Sequence, residues 1–226
     1  MTAIKAIVTD IEGTTSSIDF VRTLLFPYAA RALPDFLRSH RSDPEIARLL
    51  DDIRREIDEP DADVERLIEV VLQWIGEDRK TTALKSLQGY VWEHGYASGA
   101  FTGHVYDDCA PNLRKWRDRG IALYVYSSGS VKAQQLLFGH SDAGDLRPLF
   151  SGYFDTRVGG KRDSASYRAI CELIGRPPVE VLFLSDLTEE LDAAASAGMQ
   201  TVQVVRNGNL PAGRHTIAHD FGEVLI

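Results

Sequence analysis

Short apolar runs that alternate with helical patterns constrain this fold more than any other feature of the chain. Four runs are rich in β-branched or aromatic residues and show little polar alternation: residues 6–8, 121–126, 181–184 and 202–205. Strands of this kind are covered on both faces, as in the parallel sheets of α/β proteins. The pattern therefore predicts a set of buried parallel strands.

Helical patterns lie between these runs, and glycine follows several of them. The patterns cover residues 105–119, 130–138, 163–174 and 188–197. Gly120, Gly175 and Gly198 stand where glycine usually ends a helix, and Asp163 or Thr188 can cap a first turn. Strand and helix in alternation predict an α/β fold with a doubly wound parallel sheet.

Residues 17–99 break this alternation, because their apolar residues follow helical spacing throughout and offer no strand. We expect a helical cap domain at residues 17–99, inserted into a discontinuous core made of residues 1–16 and 100–226. Pro34, Pro44 and Pro60 are predicted to punctuate the insertion. Hinges are expected near residues 16–17 and 98–103.

Charge and cysteine content limit the partners and the compartment. The 226 residues include 33 acidic and 25 basic side chains, for a formal charge of −8, which disfavours nucleic acid or an anionic membrane as the partner. No apolar stretch approaches the roughly 20 residues that cross a bilayer. Cys109 and Cys171 are not spaced as a zinc or redox pair, and the first residues show no secretory pattern. We expect a cytoplasmic protein whose partner is a small molecule or another protein.

Polar side chains follow the predicted strands, at the edge where parallel α/β sheets bind ligands. Three strand ends carry them: Asp10 with Glu12, Ser127 with Ser128, and Asp186. Lys161 lies in a glycine-rich connection before a helix, and Glu189 and Glu190 follow Asp186 closely. These acids, hydroxyls and lysine are expected to converge on one edge of the sheet.

Converging carboxylates repel one another unless a cation neutralises them, and oxygen ligands suit Mg²⁺. Asp10 and Asp186 are the expected ligands, while Ser127, the amides of residues 127–130 and Lys161 would bind a phosphate group. Asp10 could then attack phosphorus and form an aspartyl-phosphate. Glu12 could protonate the leaving oxygen and later deprotonate the attacking water.

This set of residues resembles the haloacid-dehalogenase-like phosphatase superfamily. The matching motifs are residues 10–14 (DIEGT), Ser127, Lys161, and Asp186 with Glu190. Glu12 departs from the Asp that most superfamily phosphatases carry there. This Glu12 is typical of the enolase-phosphatase family of methionine salvage, the acireductone synthases, which the chain resembles along nearly its full length. Further segments that resemble this family are LFPYA, DRKTTALKSLQG, GHVYDD, YSSGSVKAQQLLFGHS and FLSD.

The resemblance implies a Mg²⁺-dependent monomer that enolises 2,3-diketo-5-methylthiopentyl-1-phosphate and then removes its phosphate to leave the acireductone. It places Asp10, Glu12 and Asp186 at the metal, with Glu12 acting through its main-chain carbonyl. Ser127, Ser128 and Lys161 would bind the substrate.

Several alternatives remain open on the sequence. The base for enolisation is unassigned: Glu12 and Lys161 lead, and four residues of the insertion follow, namely Lys80, Lys85, Glu93 and His94. The division of labour between Glu189 and Glu190 is also open. Other functions compatible with the motifs are a general phosphomonoesterase or dehalogenase-type hydrolase of the same superfamily, and a phospho-acceptor receiver module.

Overall fold

A computed structural model describes residues 3–208 and 214–226 of the chain. These described residues divide into two compact units, one that falls within residues 1–18 and 102–226 and the other made of residues 19–101. The domain boundaries predicted from the sequence lie between residues 16 and 17 and between residues 99 and 100, within three residues of the boundaries of these units. We call the first unit the core and the second the insertion.

A parallel sheet of six strands organises the described part of the core, as the sequence predicted for the fold class. The strands are β1 (Ala6–Thr9), β2 (Ala122–Tyr126), β3 (Phe150–Phe154), β4 (Val181–Ser185), β5 (Gln200–Val204) and β6 (Thr216–Ala218). Their spatial order is β3-β2-β1-β4-β5-β6. The chain thus winds outward from β1 to one edge, returns to the other side of β1, and continues to the opposite edge.

The insertion contains helices. They are α1 (Ile18–Phe20), which begins on the last residue of the core, followed by α2 (Phe26–His40), α3 (Pro44–Glu56), α4 (Val64–Gly76) and α5 (Thr82–Ala97). Leu33, Leu37, Ile53 and Leu67 are fully buried, because each helix places its apolar residues on one face. The Trp92 indole N–H donates to the Leu25 carbonyl at 2.9 Å and fixes the start of the insertion to α5.

Helices of the core complete the alternation: α6 (Cys109–Asp118), α7 (Val131–Gly139), α8 (Ser164–Ile174) and α9 (Thr188–Ser196). Ala6, Val8, Val181 and Phe183 alternate along β1 and β4 and pack with buried residues of α8 and α9. Ile7 and the other intervening residues of these strands are equally buried, so the sheet is covered on both faces.

Some local predictions were wrong. Residues 105–108 are not helical, because the Tyr106 N–H is bound to the Thr15 carbonyl at 3.0 Å instead of to its own turn. Pro34 lies inside α2, whose buried face includes Leu33 and Leu37. Thr188 does not cap α9, since Leu187 holds that position and makes no side-chain cap.

Other terminators and caps agree with the prediction. Asp163 accepts a hydrogen bond from the Ala165 N–H at 2.8 Å and so caps α8. Gly175 ends the same helix at φ +72°, in the left-handed region that glycine tolerates best.

Candidate active site

The site forms where the winding of the sheet reverses, between β1 and β4. These strands are neighbours but lie far apart in sequence, and Thr9 is in register with Leu184. In open α/β sheets ligands bind beyond the carboxyl ends of the strands at such a switch point. Asp10 and Asp186 follow β1 and β4 at this edge.

The segment after β1 folds into a tight turn that its own sequence dictates. The N–H groups of Thr14, Thr15 and Ser16 all donate to the Ile11 carbonyl, at 3.1, 2.9 and 2.9 Å. Gly13 has φ +81°, which a β-carbon would strain. The turn presents the carboxyl groups of Asp10 and Glu12 from a rigid backbone.

Gly13 also leaves space for Asp186. A β-carbon at this position would lie 2.6 Å from the Asp186 Cγ, closer than van der Waals contact permits. The Thr14 hydroxyl accepts a hydrogen bond from the Asp186 N–H at 3.0 Å. The turn after β1 and the end of β4 are therefore fitted to each other.

Lys161 joins Asp10 to Glu190. Its ammonium lies 2.5 Å from Asp10 Oδ1 and 2.7 Å from Glu190 Oε2, and all three side chains are buried. The Ser185 hydroxyl donates to the same Glu190 oxygen at 2.9 Å. Burial opposes a charge on Lys161, but Asp10 and Glu190 outweigh that effect and raise its pKa.

Buried tyrosines hold the loop that carries Lys161. The Tyr126 hydroxyl donates to the Gly159 carbonyl at 2.9 Å, and the Tyr167 hydroxyl donates to the Lys161 carbonyl at 2.7 Å. Each tyrosine fixes one end of residues 159–161, so the lysine reaches the carboxylates from an anchored backbone.

Ser127 binds Glu12 and organises the turn after β2. Its hydroxyl donates to Glu12 Oε2 at 3.1 Å and accepts from the Gly129 N–H at 3.0 Å. Gln134 donates to the Gly129 carbonyl at 2.8 Å, and Ser130 caps α7. The amides that begin α7 are therefore held beside Ser127.

Ser128 lies in the same turn and is half-buried. Ser128 thus joins Asp10, Glu12, Ser127, Lys161 and Asp186 at the ends of strands or in loops of the core, whereas Glu189 and Glu190 lie in α9.

Negative charge predominates in this cluster. Burial, and then the charge of Asp10, raises the pKa of Glu12 above its usual value and the pKa of Asp186 to about 6. The same two causes raise the pKa of Glu190 to about 7. Asp186 Oδ1 is buried and has no hydrogen-bond partner among the described residues, although Lys161 reaches two of the other acids. A cation is the group that these oxygens lack.

The structure gives partners to two residues that sequence patterns leave without one. Glu190, which the motifs pair with Asp186, is buried against Lys161, whereas Glu189 is exposed. Arg206, just beyond β5, donates two hydrogen bonds to the Thr14 carbonyl. The helical spacing around Glu190 and the buried strand before Arg206 were the available signals, and neither identifies a partner.

Comparisons with known proteins agree with this geometry. The family model of haloacid dehalogenase-like hydrolases matches residues 4–198. The chain is 58% identical over 223 residues to "Enolase-phosphatase E1" of Pseudomonas aeruginosa, covering 99% of both proteins.

Solved structures agree as well. The crystal structure of the UTR4 protein of Saccharomyces cerevisiae matches with a TM-score of 0.83 and 36% identity, covering 98% of this chain and 100% of that one. A dehalogenase structure at 20% identity has a TM-score of 0.59, covers 99% of this chain and 96% of its own, and supports the fold alone. The chain belongs to the haloacid dehalogenase-like hydrolases and, within them, to the enolase-phosphatase E1 family.

Proposed function

We propose that this protein is a bifunctional enolase-phosphatase. It converts 2,3-diketo-5-methylthiopentyl-1-phosphate to the acireductone 1,2-dihydroxy-3-keto-5-methylthiopentene and phosphate, a step of methionine salvage. The observation that carries the proposal is the conjunction of full-length identity to enolase-phosphatases with a buried Asp10–Lys161–Glu190 chain at the switch point of the sheet.

Asp10 is the proposed nucleophile for phosphate release. Its carboxylate oxygen forms a bond to phosphorus while the ester P–O bond breaks, and Glu12 gives a proton to the leaving oxygen. Water then attacks phosphorus, Glu12 takes a proton from that water, and the Asp10–phosphorus bond breaks to release phosphate. The raised pKa of Glu12 suits a carboxyl group that must first donate and then accept a proton.

A divalent metal ion, which we propose is Mg²⁺, completes the site. Asp10, Asp186 and the main-chain carbonyl of Glu12 are the proposed ligands, and the unpartnered Asp186 Oδ1 fits this role. In the described ranges no three His, Cys, Asp or Glu side chains form a metal cluster by themselves, which suits an ion that is held by few carboxylates and by substrate oxygens. The bound ion would offset phosphate charge and stabilise an enolate oxygen.

Substrate phosphate is proposed to bind Ser127, Ser128 and Lys161. Main-chain amides of residues 127–130, in the turn before α7, are proposed as further donors to the anion. Because Lys161 is already paired with two carboxylates, its ammonium keeps its proton at neutral pH. Lys161 is therefore better suited to hold the phosphate than to act as a base.

Glu12 is the proposed base for enolisation. The raised pKa makes its ionised form a stronger base than an ordinary carboxylate. Lys80 precedes α5, and Lys85, Glu93 and His94 belong to that helix. They stay secondary candidates for the base, because α5 is part of the insertion and the other proposed site residues belong to the core. We propose that the insertion acts as a cap that closes through hinges near residues 16–17 and 98–103, excludes water and selects the substrate.

The decisive experiment follows both half-reactions with the diketo phosphate. Enol absorbance and phosphate release are recorded separately for the wild type, for Asp10→Asn and for Glu12→Gln. We expect Asp10→Asn to abolish phosphate release, and Glu12→Gln to slow both steps. Retained phosphate turnover in Asp10→Asn would refute the nucleophile.

The same assays separate the alternatives. A general phosphomonoesterase would release phosphate from many simple esters at comparable efficiency, with no enol signal beforehand. A receiver module would hold its aspartyl-phosphate as a long-lived species, whereas a catalyst turns it over rapidly. The role proposed for Glu12, which is to activate water, favours the catalyst.

We propose that the protein works as a cytoplasmic monomer on a small phosphate ester, without nucleic acid or membrane as partner. Among residues 3–208 and 214–226, none of the helices combines the length and the apolar character needed to cross a bilayer. Cys109 and Cys171 are free and buried, in keeping with a reducing compartment. Light scattering of the purified protein tests the monomer.

A further inference from the structure

Arg206 is a buried arginine that binds the main chain of the turn after β1. Its Nε and Nη2 groups donate to the Thr14 carbonyl at 2.8 and 2.7 Å, and its Nη1 donates to Asp108 Oδ1 at 2.7 Å. Only 7% of the side chain is exposed. The guanidinium also lies 4.2 Å from the ring centre of Tyr106 and 5.1 Å from that of Phe221.

Thr14 connects Arg206 to the site. The carbonyl of Thr14 accepts both bonds from Arg206, and its hydroxyl accepts the Asp186 N–H at 3.0 Å. Gly13, the preceding residue, has no room for a β-carbon beside Asp186. A displacement of Thr14 would therefore move both the Asp186 main chain and the peptide that carries the Glu12 carbonyl.

Arg206 acts on the protein and not on the substrate. Its donors are directed to Thr14, to Asp108 and, from Nη2, to the Cys109 sulfur at 3.1 Å. Asp108 is held in turn by the Phe221 N–H at 2.7 Å. The planar guanidinium of arginine can donate to all of these acceptors at once. The ammonium of a lysine is a single compact charge, so it would lose the paired bonds to the Thr14 carbonyl.

We propose that Arg206 is a positioning residue that fixes Asp186 and the Glu12 carbonyl at the spacing needed to bind the divalent cation. The inference rests on the proposed function, because it assigns these two groups to the metal. It extends the site to a residue at the end of β5 that the motifs do not contain. The network runs from Asp108 through Arg206 and Thr14 to Asp186.

The test is direct titration of the metal-free protein with Mg²⁺, by calorimetry and by the rise of Tm that the ion produces. Arg206→Lys and Arg206→Met are compared with the wild type. We expect Arg206→Lys to bind Mg²⁺ roughly tenfold more weakly, as for the loss of other groups that support metal ligands. Arg206→Lys keeps the charge, so it stays informative if Arg206→Met does not fold.

Two control variants separate positioning from general damage. Arg147→Lys makes the same change at an exposed ion pair with Asp145, near the amino end of β3. Val181→Ala removes buried volume at the beginning of β4 and lowers Tm without touching the site. Both are expected to keep wild-type Mg²⁺ affinity.

The outcomes distinguish this inference from the proposed function. Wild-type Mg²⁺ affinity in Arg206→Lys, or an equal loss of affinity in Val181→Ala, would refute the positioning role while leaving the enzyme assignment intact. A wild-type protein that binds no Mg²⁺ would refute both. A selective loss in the Arg206 variants, with phosphate release restored by excess Mg²⁺, would establish the role.

Discussion

Gly13→Ala tests the fit between the turn after β1 and Asp186. The substitution adds one carbon, which would lie 2.6 Å from the Asp186 Cγ. The carboxylate must move, because Thr14 and the turn behind it are tied to Ile11 and Arg206. We expect the variant to fold and to lose phosphate release.

Gly13→Ala has two effects, backbone strain and displacement of Asp186. Gly120→Ala separates them, because it introduces only the strain. Gly120 has φ +79°, nearly that of Gly13 at +81°, but an added β-carbon at Gly120 would meet no atom of residues 3–208 and 214–226 within 4 Å. Alanine in this conformation costs about 1–2 kcal/mol, partly offset by about 0.4–1 kcal/mol from the less flexible unfolded chain. A net cost of about 1 kcal/mol lowers the Tm of a chain of this size by about 2–4 °C.

Gly13→Ala carries the same strain and also displaces Asp186. Moving this side chain adds little to the stability loss, since its Oδ1 has no hydrogen bond to lose and burial holds its pKa at about 6. Catalysis is different, because Asp186 is a proposed metal ligand, and displacing such a ligand or its support costs about 10–100-fold in metal affinity or activity. The two variants should therefore melt within a few degrees of each other and differ in activity.

Thermal melts and phosphate release at saturating substrate measure this difference. Gly120→Ala should keep wild-type turnover, and Gly13→Ala should lose at least about tenfold. Equal turnover in the two variants would show that Asp186 does not need its present position. A crystal structure of Gly13→Ala with Asp186 unmoved would contradict the steric argument itself.

Two further predictions concern Lys161 and its partners. Tyr167→Phe removes the donor to the Lys161 carbonyl, so we expect Tm to fall by about 2–4 °C for a hydrogen bond worth about 1 kcal/mol. The KM for the phosphate ester should rise. Tyr153→Phe should leave it unchanged, because the buried Tyr153 hydroxyl has no hydrogen-bond partner in the part of the chain that the structure describes. Burial and then the charge of Asp10 raise the pKa of Glu190 from 4.5 to about 7, so the folded state binds this proton more tightly than the unfolded state does. Stability from this group is therefore full below pH 4.5 and is lost as the pH rises toward 7. Melts of metal-free protein should show Tm falling over that window, and Glu190→Gln should flatten the fall; an unchanged slope would contradict the assignment.

The central strands were predictable because they are buried on both faces. β1, β2 and β4 carry nearly continuous apolar runs, and β5 shares the shorter run at residues 202–205; their short length and their β-branched or aromatic residues favour strands over helices. β3 and β6 lie at the two edges of the sheet and were not predicted. β3 contains serine and glycine and is half-exposed along much of its length, and β6 has only three residues. Edge strands need less apolar surface, so whether such a segment forms a strand depends on its pairing with a neighbouring strand.

The sequence by itself determined which side chains follow the buried strands, and the tertiary structure decided how they connect. Position after a buried strand marks Asp10, Glu12, Ser127 and Asp186, because parallel strands bring their carboxyl ends to one edge. No such rule places Glu190 against Lys161, or Arg206 beneath Thr14. These contacts join residues 29 to 192 positions apart, and they depend on the packing of whole helices and strands. Local sequence encodes the propensity of each segment, whereas a contact between distant side chains exists only once the core has formed.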